Sequence, residues 1–177
     1  MTLRHAFIDE SGRTTGYYVC AAVTVADDVA GARRLARGFL LPNQRRWHFC
    51  EERDRRRHQI LEGIVASGLV SGFVAHGRGD EQLVRAQCLT ELTGALVDCR
   101  TSRVIIESRD VRDAQDKRTL AQALRPVDRP FEYVHRRPVE DPGLWLADAV
   151  AWSYSKGGVW RRTVEPVISS VADVGAS

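Results

Sequence analysis

Three acidic residues end or interrupt apolar segments, and that placement is what gives them chemistry. Asp9 follows Ala6-Phe7-Ile8, Glu107 follows Val104-Ile105-Ile106, and Asp148 is the only charged residue between Gly143 and Trp152. A carboxylate taken out of water is costly unless a cation or hydrogen bonds compensate it. Asp148 shares one helix side with Leu144, Ala151 and Trp152, so burial of that side would demand a partner, either an arginine or a metal ion. Three converging carboxylates repel one another, and a divalent cation resolves the repulsion. Oxygen donors suit Mg²⁺ or Mn²⁺. Two ions about 4 Å apart can clamp the attacking and leaving oxygens of a phosphodiester, so the chemistry to expect is hydrolysis or transfer at phosphate. The bland alternative is that strand ends carry acids because loops begin there, and that Asp148 turns to solvent. Whether the three side chains meet decides between the two.

The elements that must position them follow from the apolar pattern. Strands are expected over 3–8, 17–25, 69–75, 103–106 and 131–134, where β-branched and aromatic residues cluster between turn residues. Helices are expected over 29–41 (capped by Asp27), 51–67 (opened by Glu51 and Glu52 and ended by Gly68), 80–99 (capped by Asp80), 111–124 and 144–154. An early hairpin followed by strand–helix alternation implies a layered α/β fold around a mixed sheet. Asp9 and Glu107 would then lie at the carboxyl ends of adjacent parallel strands, where sites gather in such sheets, with Asp148 approaching from a helix packed on the sheet.

The chain has 177 residues with 44% hydrophobic and 28% charged side chains, which fits one globular domain and excludes a chain disordered for want of apolar residues. No apolar run approaches the roughly 20 residues of a membrane helix, and the first residues lack the pattern of a signal peptide. A cytoplasmic protein with no membrane association is expected. The net charge of +3 is unevenly spread: residues 33–57 hold nine arginines against three acids, so this stretch carries +6 and the remainder −3. Such a block suits a polyanion, with Arg45, Arg46, Arg53, Arg56 and Arg109 as candidate contacts to nucleic acid. A solvated face is the alternative, since 24 arginines against two lysines also reflects a GC-rich genome. Cys20, Cys50, Cys88 and Cys99 show no C-x-x-C spacing and read as reduced, mostly buried thiols rather than zinc ligands.

The segments FIDESG at 7–12, WHFCEE at 47–52, VIIESRD at 104–110 and LWLADAVAW at 144–152 resemble, in order and spacing, the successive motifs of the bacterial family known as domain of unknown function thirty-eight hundred, grouped with ribonuclease-H-like folds. The resemblance implies a ribonuclease-H-like mixed α/β sheet flanked by helices over 1–157, with 29–67 as a helical insertion between strands two and three. A C-terminal helix and a frayed tail would fill 158–177. It implies a metal-dependent nuclease whose ligands are Asp9, Glu107 and Asp148, with Glu10, His48 and Glu51 as auxiliaries. The fold usually takes a further glutamate from the first helix after strand three. Glu81 and Glu91 are the acids there and neither sits in a motif, so either His48 or Glu51 replaces it or the set is incomplete. His48, between Trp47 and Phe49, could equally be a packed side chain bonded to backbone.

Two rivals stand beside a nuclease acting on DNA or RNA. One is a catalytically silent nucleic-acid-binding module that keeps the fold and the arginine block. The other is an interaction subunit, in a homodimer or with a partner protein of a defence or mobile-element system, to which Trp160 beside Arg161-Arg162 would offer an exposed aromatic surface.

Overall fold

The computed structural model describes residues 2–175. Ten residues of β1 (Arg4–Arg13) pair antiparallel with β2 (Gly16–Val25) along their whole length. The strand therefore does not stop at Ile8. It runs through the expected turn, and Asp9 and Glu10 lie inside it, Asp9 opposite Cys20. Gly16 allows the tight hairpin: its φ is +152°, and a Cβ there would stand 3.0 Å from the Gly77 carbonyl oxygen.

The remaining elements are α1 (Val29–Gly38), α2 (Asp54–Ser67), β3 (Ser71–Gly77), α3 (Glu81–Asp98), β4 (Thr101–Glu107), α4 (Asp113–Leu124), β5 (Glu132–Arg136), α5 (Gly143–Lys156), α6 (Gly158–Val164) and β6 (Ile168–Asp173). The sheet has six strands in the order β5-β4-β1-β2-β3-β6. It is mixed, as the sequence implies: β1–β2 and β2–β3 are antiparallel, whereas β4–β1, β4–β5 and β3–β6 are parallel.

Period-two alternation splits the core into two layers. Phe7, Cys20, Val74 and Ile105 face one side, under α1, α2, α5 and α6; Ala6, Ile8, Val19, Val104 and Ile106 face the other, under α3 and α4. Helix α5 is the central one. It is buried on nearly all sides, and it lies so close to β1 that a Cβ on Gly143 would come 2.2 Å from the Phe7 ring. Its first turn is fixed by Asp141, which accepts from the Gly143 N–H at 3.0 Å and takes a two-pronged pair from Arg33 at 3.0 and 2.6 Å.

Several expectations are met: Gly68 ends α2 in the left-handed region at φ +63°, and the Asp80 carboxylate caps α3 by accepting from the Leu83 N–H at 3.0 Å. Others are corrected. Asp27 makes no cap; it lies in a 3₁₀ turn, Ala26–Asp28, ahead of α1. Glu51 and Glu52 do not open a helix, because Phe49–Glu51 form a separate 3₁₀ turn and α2 begins at Asp54. The turn is held apart by Arg57, whose Nε donates to the Phe49 carbonyl at 3.0 Å and whose second amino group donates to that of Cys50 at 2.5 Å. The tail is not frayed through its length: residues 168–173 add β6 to the free edge of β3, with Ala172 packed on the α3 side. Positions 176 and 177 of the expected tail lie outside the described residues.

Candidate active site

Parallel pairing of β1 with β4 ends at Ile8↔Ile106. The next residues on the two strands are Asp9 and Glu107, and alternation from Phe7 and Ile105 turns both toward α5. Asp9 is 6% exposed and its carboxyl hydrogen-bonds the Glu107 side chain. Burial, that hydrogen bond and the charges of Asp148 and Glu107 push Asp9 well above the usual carboxylate range, and Arg109 opposes them only in part. Asp148 reaches the same pocket from α5. Its burial raises it too, with Glu107 adding to the shift, against the Phe49 N–H, His48 and Arg46, which favour the charged form. Asp9 and Asp148 thus act on each other electrostatically, and Glu107 acts on both, but among the described residues the donor atoms of the three acids do not gather within 4.8 Å of one another.

The segment between α1 and α2 closes one side of that pocket. Trp47 and Phe49 are buried in the α5-side core, and the Trp47 indole donates to the Ala36 carbonyl at 2.9 Å. These anchors present the Phe49 N–H to Asp148 Oδ2 at 2.9 Å. They leave His48, 37% exposed at its side chain, with Nε2 4.0 Å from Asp148 Oδ2 and Nδ1 3.4 Å from Glu51 Oε1. His48 is therefore half-exposed and, among the described residues, its ring is not bonded to backbone; it spans an exposed glutamate and a half-buried aspartate. The exposed Cys50 thiol lies 3.5 Å from Nε2 of the same ring.

Glu10 does not join this group. Alternation sends it to the α3–α4 side, where Arg85 contacts it and Arg112 lies 3.7 Å away. Arg85 also grips Asp116 with two bonds, at 2.9 and 2.8 Å, and donates to the Tyr17 hydroxyl at 3.2 Å. His135 Nε2 sits 3.1 Å from Asp116 and 3.8 Å from Asp113. Asp113, Asp116 and His135 make a set of donor atoms that all lie within 4.8 Å of one another. No local pattern groups them, although Arg85 and Asp116 each interrupt a buried helical stripe, Arg85-Cys88-Leu89-Leu92-Leu96 and Asp116-Leu120-Leu124. Of this set, the Arg85 fork pairs with Asp116, and Asp113 accepts from the Ser108 hydroxyl and the Arg109 N–H. Burial alone would raise Asp116, but the bonds from Arg85 and His135 hold it below the usual range.

The arginine block divides in two. Arg33 serves Asp141, Arg56 pairs with Glu52 at 3.4 Å and bonds the Phe39 carbonyl, and Arg57 ties down the 49–51 turn. Arg45 and Arg53 are exposed, and Arg46 is near enough to Asp148 to stabilise its charge. Arg46, His48, Glu51 and Arg53 line a cleft of about 560 Å³ beside the pocket. Trp160 is not exposed. It is 9% accessible, stacked on His58 with ring centroids 4.4 Å apart and edge-on to Trp152 at 5.5 Å. All four cysteines are free: Cys20 and Cys88 are buried, Cys99 is half-buried and Cys50 is exposed.

Among solved structures, the chain is similar to one described as the structure of the PCNA:RNase HII complex from Archaeoglobus fulgidus, with a TM-score of 0.58 and 17% identity over 92% of this chain and 75% of that one. The fold is ribonuclease-H-like. No family model matches the chain, and no curated protein matches it in sequence. Within that ribonuclease-H-like sheet, Asp9 and Glu107 lie just past the last parallel pair of the central strands β1 and β4, Glu107 at the carboxyl end of β4 and Asp9 inside β1. Among the described residues no helix is long and apolar enough to cross a membrane.

Proposed function

We propose that the chain is a divalent-metal-dependent nuclease, or a related phosphoryl transferase, acting on DNA or RNA, and that its motifs place it with the family of domain of unknown function thirty-eight hundred. One observation carries this: Asp9 and Glu107 stand side by side where the parallel pairing of β1 and β4 ends, 3.5 and 3.7 Å from one nitrogen of Arg109, and Asp148 on α5 is near enough for its charge to act on Asp9. The fold-level likeness to a ribonuclease HII supports it as analogy.

The donor chemistry fits Mg²⁺ or Mn²⁺, since the three acids offer only carboxylate oxygens and repel one another until a cation arrives. When bound, such an ion supplies Lewis-acid stabilisation of the phosphoryl oxygens and an acidified water. The chain's own residues do the rest. Asp9 and Glu107 form the rigid edge, fixed by strand pairing. Asp148 is oriented by the Phe49 N–H at 2.9 Å, which occupies Oδ2 and leaves Oδ1 for a ligand. His48, half-exposed beside Asp148 and Glu51, is placed to carry a proton between the pocket and solvent. Arg45, Arg46 and Arg53 line the approach and hold the phosphates of the strand.

Asp9→Asn and Asp148→Asn each abolish Mn²⁺-stimulated cleavage of an oligonucleotide while the chain stays folded by circular dichroism. Full residual cleavage in both variants removes the mechanism. A catalytically silent binding module has one observation in its favour, that Arg109 already lies against the Asp9–Glu107 edge. Affinity for an oligonucleotide that falls steeply with salt, with no cleavage in Mn²⁺, selects it.

A further inference from the structure

Arg109 differs from the arginines that grip a single buried acid with two short bonds, Arg85 on Asp116 and Arg33 on Asp141. Arg109 instead spreads over three carboxylates at longer range: 3.5 Å to Asp9 Oδ1, 3.7 Å to Glu107 Oε1 and 3.5 Å to Glu10 Oε1. Its side chain is 42% exposed. Its root is fixed. The Arg109 N–H donates to Asp113 Oδ1 at 2.8 Å, and the Ser108 hydroxyl donates to Asp113 Oδ2 at 2.6 Å. A long flexible cation is thus tethered at its backbone and held only loosely at its head.

We propose that Arg109 is a tethered counter-ion, which competes with the divalent cation for the Asp9–Glu107 edge and, once displaced, offers its guanidinium to a phosphate of the incoming strand. This rests on the carboxylate pocket being the metal site. Departure of the guanidinium strands no other charge, because Glu10 keeps Arg85 and Arg112, and Arg112 is itself braced by Glu81 at 2.5 Å. A planar fork is also well shaped for two phosphate oxygens. Metal and substrate therefore reinforce each other: the ion frees the arginine, and the arginine then holds the strand.

The test is a calorimetric titration of Mn²⁺ into the whole protein without substrate, for the wild type, Arg109→Ala, Arg109→Gln and Arg109→Lys. A parallel titration uses short fluorescent DNA and RNA oligonucleotides with Ca²⁺ in place of Mn²⁺. Loss of one partly exposed competing cation corresponds to about three- to tenfold tighter Mn²⁺ binding in the Ala and Gln variants. The Lys variant stays near the wild type. The Ala and Gln variants also lose affinity for whichever oligonucleotide the wild type binds. Mn²⁺ binding that is unchanged or weaker in both neutral variants overturns the inference, and if the wild type binds Mn²⁺ normally the nuclease proposal survives that result. Absence of Mn²⁺ binding in every variant ends both. Tighter binding without any cleavage leaves the counter-ion role standing and favours the silent module.

Discussion

The two faces of the sheet, at the same end of β1 and β4, carry two clusters of acids with opposite electrostatic outcomes. On the α3–α4 face, Glu10, Asp116 and Asp113 meet Arg85, Arg112 and His135, and Asp116 ends below its ordinary range. On the α5 face, Asp9 and Glu107 meet the loosely placed Arg109, Asp148 meets the Phe49 N–H, a half-exposed histidine and the charge of Arg46, and Asp9 and Asp148 end above theirs. Both clusters are buried acids beside a sheet. What separates them is whether the chain supplies the countercharge. A network closed by its own arginine holds elements together, whereas a deficit built into rigid strands is a place for a cation from outside.

The largest expected effect breaks the closed cluster. Arg85→Ala removes the fork from Asp116 and the contact to Glu10, leaving two buried carboxylates without their main partner. Loss of one member of a buried pair costs about 3–5 kcal/mol, read as a lower urea midpoint at unchanged slope. Asp148→Asn, on the open side, shifts that midpoint little. If the two variants lose similar stability, the distinction between a closed and an open cluster fails.

A smaller effect, of opposite sign, belongs to Asp9. Its native carboxyl is raised above its unfolded value, chiefly by burial. The native state therefore binds the proton more readily than the unfolded chain. The stability this gives is complete at pH below the unfolded value and is lost as pH rises through the raised native one. Asn stays neutral throughout and avoids that loss. Without metal, Asp9→Asn at pH 7 is more stable than the wild type by about 1 kcal/mol, a few degrees of melting temperature, and the advantage fades in acid. Asp116 runs the other way, its stabilisation present above the unfolded value and lost as pH falls through the lowered native one. A less stable Asp9→Asn variant at neutral pH would mean that Asp9 is already paired as Asp116 is.

Much of this architecture is legible from residue patterns. The mixed sheet follows from the hairpin and the later alternation, and acids placed at the ends of, or inside, apolar runs single out Asp9, Glu107 and Asp148, whose joint role as metal ligands is the proposal. The closed cluster produces the same signal, a charge interrupting an apolar stripe at Arg85 and at Asp116, yet nothing local says that the two stripes face each other. That depends on α3 and α4 packing side by side, which is tertiary information. Glu10 is a misplaced auxiliary for a local reason: the apolar run stops at Ile8 and suggests a strand end, and only a strand that continues turns Asp9 and Glu10 to opposite faces. The edge strand β6 is missed because Ile168–Asp173 is short and half-exposed, and the strand it pairs with is β3, more than ninety residues earlier in the chain.

The smallest effects divide the arginine block along the same line. The Arg45 and Arg53 side chains are exposed and make no hydrogen bond or ion pair among the described residues, whereas Arg56 is committed to Glu52 and to the Phe39 carbonyl. If the block holds a strand, Arg45→Ala and Arg53→Ala each reduce the slope of log K against log salt by about 0.7–0.9 for one lost phosphate contact, with unfolding unchanged. Arg56→Ala instead costs about 1–2 kcal/mol of stability and leaves the slope intact, because its guanidinium already has protein partners. Fluorescence anisotropy across a salt series, beside urea unfolding of the same variants, separates the two groups. Equal slopes in all three variants would mean that the +6 block is a solvated face and that the polyanion docks elsewhere.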